Sequence, residues 1–416
     1  MIARDEQELL AETIESAGSL ADEIIVLDTG STDRTCQLAA ELGATVHSKP
    51  WANDFAAARN QCQRFVTGDW VLWLNAGEAL RPDAADILCE LIANNEDTSS
   101  AYALWIEAPT SEPDGSAEQR TEIRLYPTAM GLRFMGRVRE SVVPLMSATA
   151  AKSLRKCDAR IVRQQPRYSP ERAAIKAQRD WALATREAES GSGWTPRLAL
   201  AAGEAQSVLG GADQAREMFR RVLADPTAAR AERLEAHYGL LSTFDADPEL
   251  HASQLTACLD ALEAFPFDLQ LLLALGNYML VRERLDLAVR ALDAAVRFGE
   301  VTESVWHLRE VREITAICLS SALQARQNDM AACDTLETAI EKSPQSLRLA
   351  LQLVPVYQKL GRNAEANTLM ERFSIGGAAS ARSVANAIAS GRQFRVDTRS
   401  ASHPTETSRR AQPAVS

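Results

Sequence analysis

The chain has 416 residues, enough for two or three domains, and 46% of them are hydrophobic against 24% charged, an ordinary globular composition. A formal net charge of −11 argues against nucleic acid as the main partner, because phosphate backbones require a basic surface. No stretch approaches the roughly 20 apolar residues that span a bilayer. Arg4, Asp5, Glu6 and Glu8 give the N-terminus the wrong character for a secretory signal, so a cytoplasmic protein with no membrane span is expected. The seven cysteines are scattered and form no C-x-x-C pair, which points to buried reduced thiols rather than a zinc site or a disulfide framework.

In chain order, the first signal is the apolar run Ile24-Ile25-Val26-Leu27, which ends at Asp28. From Thr32 to Gly43, Leu38, Ala39 and Leu42 fall at helical spacing and Gly43 suits a helix terminus. Trp70 to Leu74 is a second strand-length run, ending at Asn75, and Tyr102 to Ile106 is a third. Continuous apolar strands alternating with amphipathic helices predict an α/β domain with a mostly parallel sheet over residues 1 to about 150. Residues 151–194 read as a helical connector, with a helix from Pro170 to Glu189.

Residues 195–373 carry a different pattern. Gly203 precedes Ala215 by 12 residues, and Gly276 precedes Ala288 by 12. A larger apolar residue follows four positions after the alanine at Phe219, Leu292, Leu336 and Met370. Ala332 and Ala366 lie 34 apart, the tetratricopeptide period, so an all-α tetratricopeptide-like solenoid is expected. Its small residues would let paired helices pack closely, and the large residue four later would fill the neighbouring groove. The spacing of 44 from Ala288 to Ala332 implies an insertion near Gly299 to His307. Residues 374–416 turn to Gly, Ala, Ser, Thr and Arg and read as a disordered tail, with a short helix possible over Ala379 to Ala389.

The segments that carry chemistry are Met1-Ile2-Ala3-Arg4-Asp5-Glu6, Asp22 to Thr35, Trp51 to Asn60 and Thr67 to Glu78. Together they resemble bacterial family-2 glycosyltransferases, in particular those that join this domain to tetratricopeptide repeats. The resemblance covers residues 1 to about 180 and weakens after Ser100. It implies the nucleotide-diphospho-sugar transferase fold and an inverting transfer from a nucleoside-diphosphate sugar to a glycan, lipid-glycan or protein acceptor. Asp28 stands at the C-terminal end of a strand, the edge where open α/β sheets bind ligands. The resemblance gives it the ring N–H of a uracil-type base. The plainer alternative is that Asp28 and Asp33 cap the turn and the helix. The Asp54-Phe55-x-x-x-Arg59-Asn60 stretch lines the nucleotide pocket in the family, with Arg59 suited to fork onto a diphosphate.

Where the family reads Leu-Asp-Ala-Asp-Glu, this chain reads Leu74-Asn75-Ala76-Gly77-Glu78. The family's carboxylates hold a divalent cation there. Asn75 keeps one neutral oxygen, Gly77 offers no side chain, and Glu78 keeps a charge near the expected pocket mouth. The family's Gly-Arg-Val-His-Glu becomes Gly136-Arg137-Val138-Arg139-Glu140, and a later family histidine has no counterpart in Arg163 to Tyr168. These changes disfavour Mg²⁺ or Mn²⁺ and suggest Arg139 as a fixed cation at the diphosphate. The alternative is a catalytically inactive domain that serves, with the repeats, as a protein-binding scaffold. Glu140 and Glu107 are the candidate bases for the acceptor hydroxyl. Met1 falls midway through the strand with which the family begins, so either the sheet is shortened or the true start lies upstream. The repeats predict a protein partner or protein acceptor.

Overall fold

The computed structural model describes residues 1–94, 100–110, 116–142, 154–164, 169–244 and 248–375. The expected tail, apart from Ser374 and Ile375, and its short helix lie outside these residues, as do positions 165–168 of the Arg163 to Tyr168 stretch.

A three-stranded parallel sheet opens the chain. Its strands β1 (Ile2–Ala3), β2 (Ile25–Asp28) and β3 (Thr45–Ser48) lie in that order. All four residues of β2 are buried, as a strand covered on both faces requires. Val26 packs with Leu10 and Ile14 of helix α1 (Leu10–Ala17) and Ala39 of α2 (Thr35–Glu41). Ile25 and Leu27 point the other way, toward Cys62 of α3 (Phe55–Gln63). The period-2 alternation of the strand thus builds two hydrophobic layers.

A second sheet follows. Its strands β4 (Trp70–Leu72), β5 (Glu78–Leu80), β6 (Ala101–Pro109), β7 (Ala117–Pro127) and β8 (Leu154–Arg163) lie in the order β4-β7-β6-β8-β5. Parallel pairing in this sheet is confined to β6–β8, and the other neighbours in the order run antiparallel. Helix α4 (Ala84–Ala93) covers one face, where Leu88 meets Leu104, Ile106 and Ile161. The stretch 151–194, expected as a helical connector, therefore contributes the ten-residue strand β8 before its helix α5 (Pro170–Glu187). Alternating polar residues in Leu154–Arg163 hid that strand, because only Cys157, Ala159 and Ile161 face the core.

The helical part runs through α6 (Pro196–Val208), α7 (Ala212–Ala224), α8 (Arg230–Ser242), α9 (His251–Ala264), α10 (Leu269–Val281) and α11 (Leu285–Phe298). It continues with α12 (Val311–Ala325), α13 (Asp329–Lys342), α14 (Leu347–Lys359) and α15 (Asn363–Arg372). Consecutive helices pack as pairs, and the small-residue pattern explains how. A Cβ on Gly203 would sit 2.6 Å from the ring of Phe219, which also lies against Gly239. Phe219 of α7 is thus wedged between glycines of α6 and α8, and any side chain at either would displace it. Leu292 of α11 meets Gly276 of α10 in the same manner. Ala332 and Ala366, one period apart, are both buried.

The insertion between α11 and α12 leaves the helices and joins the second sheet. Its strand β9 (His307–Leu308) pairs antiparallel with the Glu118–Gln119 end of β7. Thr121 donates its backbone N–H to the Glu303 carbonyl at 2.7 Å, and Arg309 donates to Ala117 at 2.8 Å. Trp306 is buried in the core of the second sheet. The helical array and the α/β domain are stitched together at this joint. Among the described residues, no helix is long and apolar enough to cross a membrane.

Candidate functional site

The loop after β2 is laced to the segment after β1. Asp28, 5% exposed, accepts the backbone N–H groups of Gly30 and Ser31, each at 3.0 Å. Asp33 accepts from the Thr35 hydroxyl at 2.5 Å, from the Thr35 N–H at 2.9 Å and from the Gln7 N–H at 3.2 Å. Burial pushes the Asp33 carboxyl up, but the Thr35 and Gln7 donors outweigh it and leave it below its ordinary value. Asp5 accepts from the Thr32 N–H at 2.7 Å and closes the strap. Asp28 and Asp33 thus fill the capping roles, while Asp28 still stands at the ligand-binding edge of a parallel sheet. Asp54 caps α3 by accepting from the Ala57 N–H at 2.8 Å.

Four expected residues come together at one corner. From α3, the Arg59 Nε donates to Glu140 at 2.5 Å, and its Nη2 donates to the Asn75 side-chain oxygen at 3.1 Å. The Asn75 side chain donates in turn to Glu78 at 3.0 Å. The Arg59 guanidinium lies 4.8 Å from the centroid of the Trp73 ring and 5.2 Å from that of Phe134. Asn60, one residue on, holds Phe134 in place: it donates to the Phe134 carbonyl and accepts its N–H, both at 2.8 Å. Asn60 therefore builds the cage around Arg59 and does not itself point at a ligand. Two donors in the cage, the Arg59 Nη1 and the Trp73 Nε1, are buried without an acceptor. Buried donors are rarely left so, and each calls for an explanation.

Glu78, expected at the pocket mouth, is fully enclosed. It binds Arg124 through two contacts of 2.8 and 3.0 Å and Arg163 at 3.2 Å. Arg124 also binds Glu122 at 2.8 Å, and Arg120 joins Glu122 on its other side. Burial would lower the Arg124 pKa, but Glu78 and Glu122 raise it above its usual value. The same surroundings, Arg120 first among the arginines, hold Glu122 well below the carboxylate range against burial. Three arginines and two carboxylates interlock here, Arg120 reaches on to Glu235 of α8 at 3.7 Å, and Glu78 is enclosed by ion pairs.

Arg139 does not face the corner. Its guanidinium binds Glu204 of α6 at 2.6 Å and Glu235 of α8. Its backbone adopts a left-handed φ of 50°, and Val138 before it is buried among the helices, so the side chain follows Val138 onto the array. Glu107 is also placed elsewhere. It is 3% exposed and held by Arg160 at 2.6 Å, with Arg309 at 3.5 Å and Arg81 at 3.6 Å. Side chains alternate along β6, which puts Glu107 on the face opposite Ile106 and its cross-strand partner Arg120. Of the two candidate bases, only Glu140 sits with Arg59.

The residues at the family's metal position do not fit a divalent ion. The Asn75 oxygen is occupied by a guanidinium, Glu78 is locked between two arginines, and Gly77 supplies nothing. No group of three His, Cys, Asp or Glu side chains that could hold a metal occurs among the described residues. The sequence reading missed Trp73, Phe134, Glu204 and Glu235. Trp73 was visible inside the second apolar run, but the carboxylates on the helices carried no local signal.

Fold and corner define an α/β domain stitched to an array of paired helices. Residues 1–144 match the model of Glycosyl transferase family 2, and the paired helices follow that match in the chain. A TPR repeat-containing protein of Synechococcus elongatus is 54% identical over 80 residues, which is 19% of this chain and 20% of that protein. An uncharacterized glycosyltransferase of Rickettsia typhi is 33% identical over 105 residues, 25% of this chain and 36% of the relative. One of Rickettsia conorii is likewise 33% identical, over 37% of its length. The chain thus spans between a fifth and about two fifths of these relatives. Among solved structures, a MamA protein covers 49% of this chain and 98% of its own at 17% identity and a TM-score of 0.34. Pseudomonas aeruginosa pilF covers 46% and 88% at 18% identity and a TM-score of 0.34.

Proposed function

We propose that the protein is an inverting glycosyltransferase that takes a nucleoside-diphosphate sugar and uses Arg59 in the role that the family resemblance would give to a metal ion. The observation that carries this reading is the Arg59 cage. A guanidinium bonded to Asn75, at the family's metal position, has one buried N–H without an acceptor and a second orphaned donor, Trp73, beside it. Diphosphate oxygens would satisfy both, and a preorganised cation stabilises the charge that develops as the diphosphate leaves. Asp28 would accept the ring N–H of the base while keeping its turn contacts.

Glu140 is the base in this scheme. In the structure its carboxylate is occupied by the Arg59 guanidinium. A diphosphate that draws Arg59 to itself loosens that pair. Glu140 then takes the proton of the acceptor hydroxyl as its oxygen bonds to the anomeric carbon, and the carbon–oxygen bond to the diphosphate breaks with inversion. The acceptor is a glycan, a lipid-glycan or a protein, with the helical array as the surface for a protein partner or protein acceptor. We place the reaction in the cytoplasm.

A second reading, an inactive domain that works as a scaffold, is favoured by the pairing of Asn75, Glu78 and Glu140 to arginines. Thermal shift with UDP and a panel of nucleoside-diphosphate sugars, with and without Mn²⁺, separates the two. Transfer chemistry predicts a rise in melting temperature that does not depend on Mn²⁺. No response to any nucleotide would leave the scaffold.

A further inference from the structure

The loop that carries Glu140 is held by the helical array more than by its own domain. Gly136 adopts a φ of 98° and Arg139 one of 50°, so a short stretch contains two left-handed residues, one of them bearing a long side chain. Such backbone persists only where its surroundings over-determine it. Here those surroundings are helices. Val138, 4% exposed, packs among Leu183 of α5, Leu198 and Ala202 of α6 and Met218 of α7. The Arg137 N–H donates to Glu187 of α5 at 2.8 Å, and Arg197 of α6 donates to the Val138 carbonyl while pairing with Glu187. Arg139 binds Glu204 of α6 and Glu235 of α8. From the α/β domain come the Phe55 N–H, which donates to the Arg137 carbonyl at 3.0 Å, an Arg137 side-chain bond to the Asn53 carbonyl at 3.4 Å, packing of Trp51 and Phe55 against the Val138 cluster, and the Arg59–Glu140 pair.

We propose that the helical array completes the active site: Glu204 and Glu235, acting through Arg139, are positioning residues that hold the Gly136–Glu140 loop so that Glu140 meets Arg59. The inference rests on the reading of Glu140 as base, and it extends the site across both parts of the chain. Arg139 touches neither donor nor acceptor. It is the pin by which α6 and α8 set the carboxylate of its neighbour. Glu235 also reaches Arg120 of β7 at 3.7 Å, which ties α8 to the second sheet. A ligand that displaced α6 or α8 would loosen Glu140 without approaching the nucleotide.

The test uses the full chain with Glu204→Gln and Glu235→Gln combined. Three quantities are read: amide hydrogen exchange over residues 135–141, UDP affinity by calorimetry, and release of UDP from UDP-glucose. Exchange in the loop should quicken by about tenfold as its anchoring is lost. Turnover should fall by roughly 100-fold, the scale of a misplaced catalytic group, with KM and UDP affinity within about twofold of wild type. If Arg139 left unpaired prevents folding, Arg139→Met added to the two Gln substitutions removes the cation together with its partners and should give the same pattern. Unchanged loop exchange in a folded variant, or a fall in turnover matched by an equal loss of UDP affinity, would overturn the proposal. If wild-type protein binds no nucleotide and releases no UDP, the glycosyltransferase reading fails, and loop exchange alone still decides whether the array holds the loop.

Discussion

Glu78 and Glu140 are both enclosed carboxylates facing arginines in one domain, yet they belong to different kinds of region. Around Glu78, Arg124 and Arg163 converge on a carboxylate that is 0% exposed. Around Glu140, one arginine serves two partners and keeps a buried N–H without an acceptor, and the two side chains remain 13% and 11% exposed. The first region is closed electrostatic structure. The second is incomplete, and incompleteness in a buried polar cluster is where a ligand's oxygens find a use.

The comparison breaks most clearly through stability. Glu78→Ala leaves Arg124 buried without its main partner and should cost about 3–5 kcal/mol in denaturant unfolding. A cost below about 1 kcal/mol would mean that the first region is not the structural centre described here.

A third buried group without a hydrogen-bond partner, the His237 Nδ1 of α8, stands edge-on to Phe265 at 5.9 Å between ring centroids and is probed through pH. Burial pushes its pKa down to about 4 from 6.5. Between those values the unfolded chain binds a proton that the folded chain refuses. The contribution of His237 is therefore intact above pH 6.5 and falls as pH drops toward 4, by up to about 3 kcal/mol. Asp268, which accepts from the hydroxyl of Tyr238 next door, acts in the opposite sense. Burial raises it to about 6 from 3.8, so its contribution is present at low pH and lost as pH rises through 6. His237→Phe should thus gain stability relative to wild type as pH falls from 6.5 to 4, measured as the difference between their unfolding curves.

At the corner itself, Arg59→Lys keeps the charge but cannot fork. It should weaken UDP binding by about 1.5–3 kcal/mol, or roughly 10- to 150-fold in Kd by calorimetry. Trp73→Phe removes the orphaned N–H together with one ring of the buried indole. It should weaken UDP binding by about 1 kcal/mol and lower thermal stability through the cavity left behind. A stability loss with unaltered UDP affinity would assign Trp73 to packing alone.

Much of this was legible in the chain's own pattern. The apolar run ending at Asp28 is a strand buried on both faces, and the segment ending at Gly43 is a helix. The offsets of Gly203, Phe219, Gly276 and Leu292 describe real helix-to-helix contacts. The capping alternative for Asp28 and Asp33 was also visible and is the one their hydrogen bonds display. Arg59 and Glu140 are both site candidates in the sequence, but their mutual pairing carries no local signal there. The partners of Arg139 lie 65 and 96 residues away on helices with no chemical motif of their own. Local periodicity carries no information about such pairings. Strand β8 was hidden for a different reason, since half of its residues face solvent and mimic a polar connector.

The two-residue strand β9 has a consequence for how this protein can be taken apart. It donates backbone to the edge of β7 and places Trp306 between Arg120 and Arg163, at 4.7 and 4.9 Å from their guanidinium carbons. A fragment cut before the helices would bare that edge and empty the slot filled by the indole, a combination that favours self-association over a soluble monomer. The unit of engineering is therefore the joined pair, and any exchange of the repeats has to carry this small hook along with them.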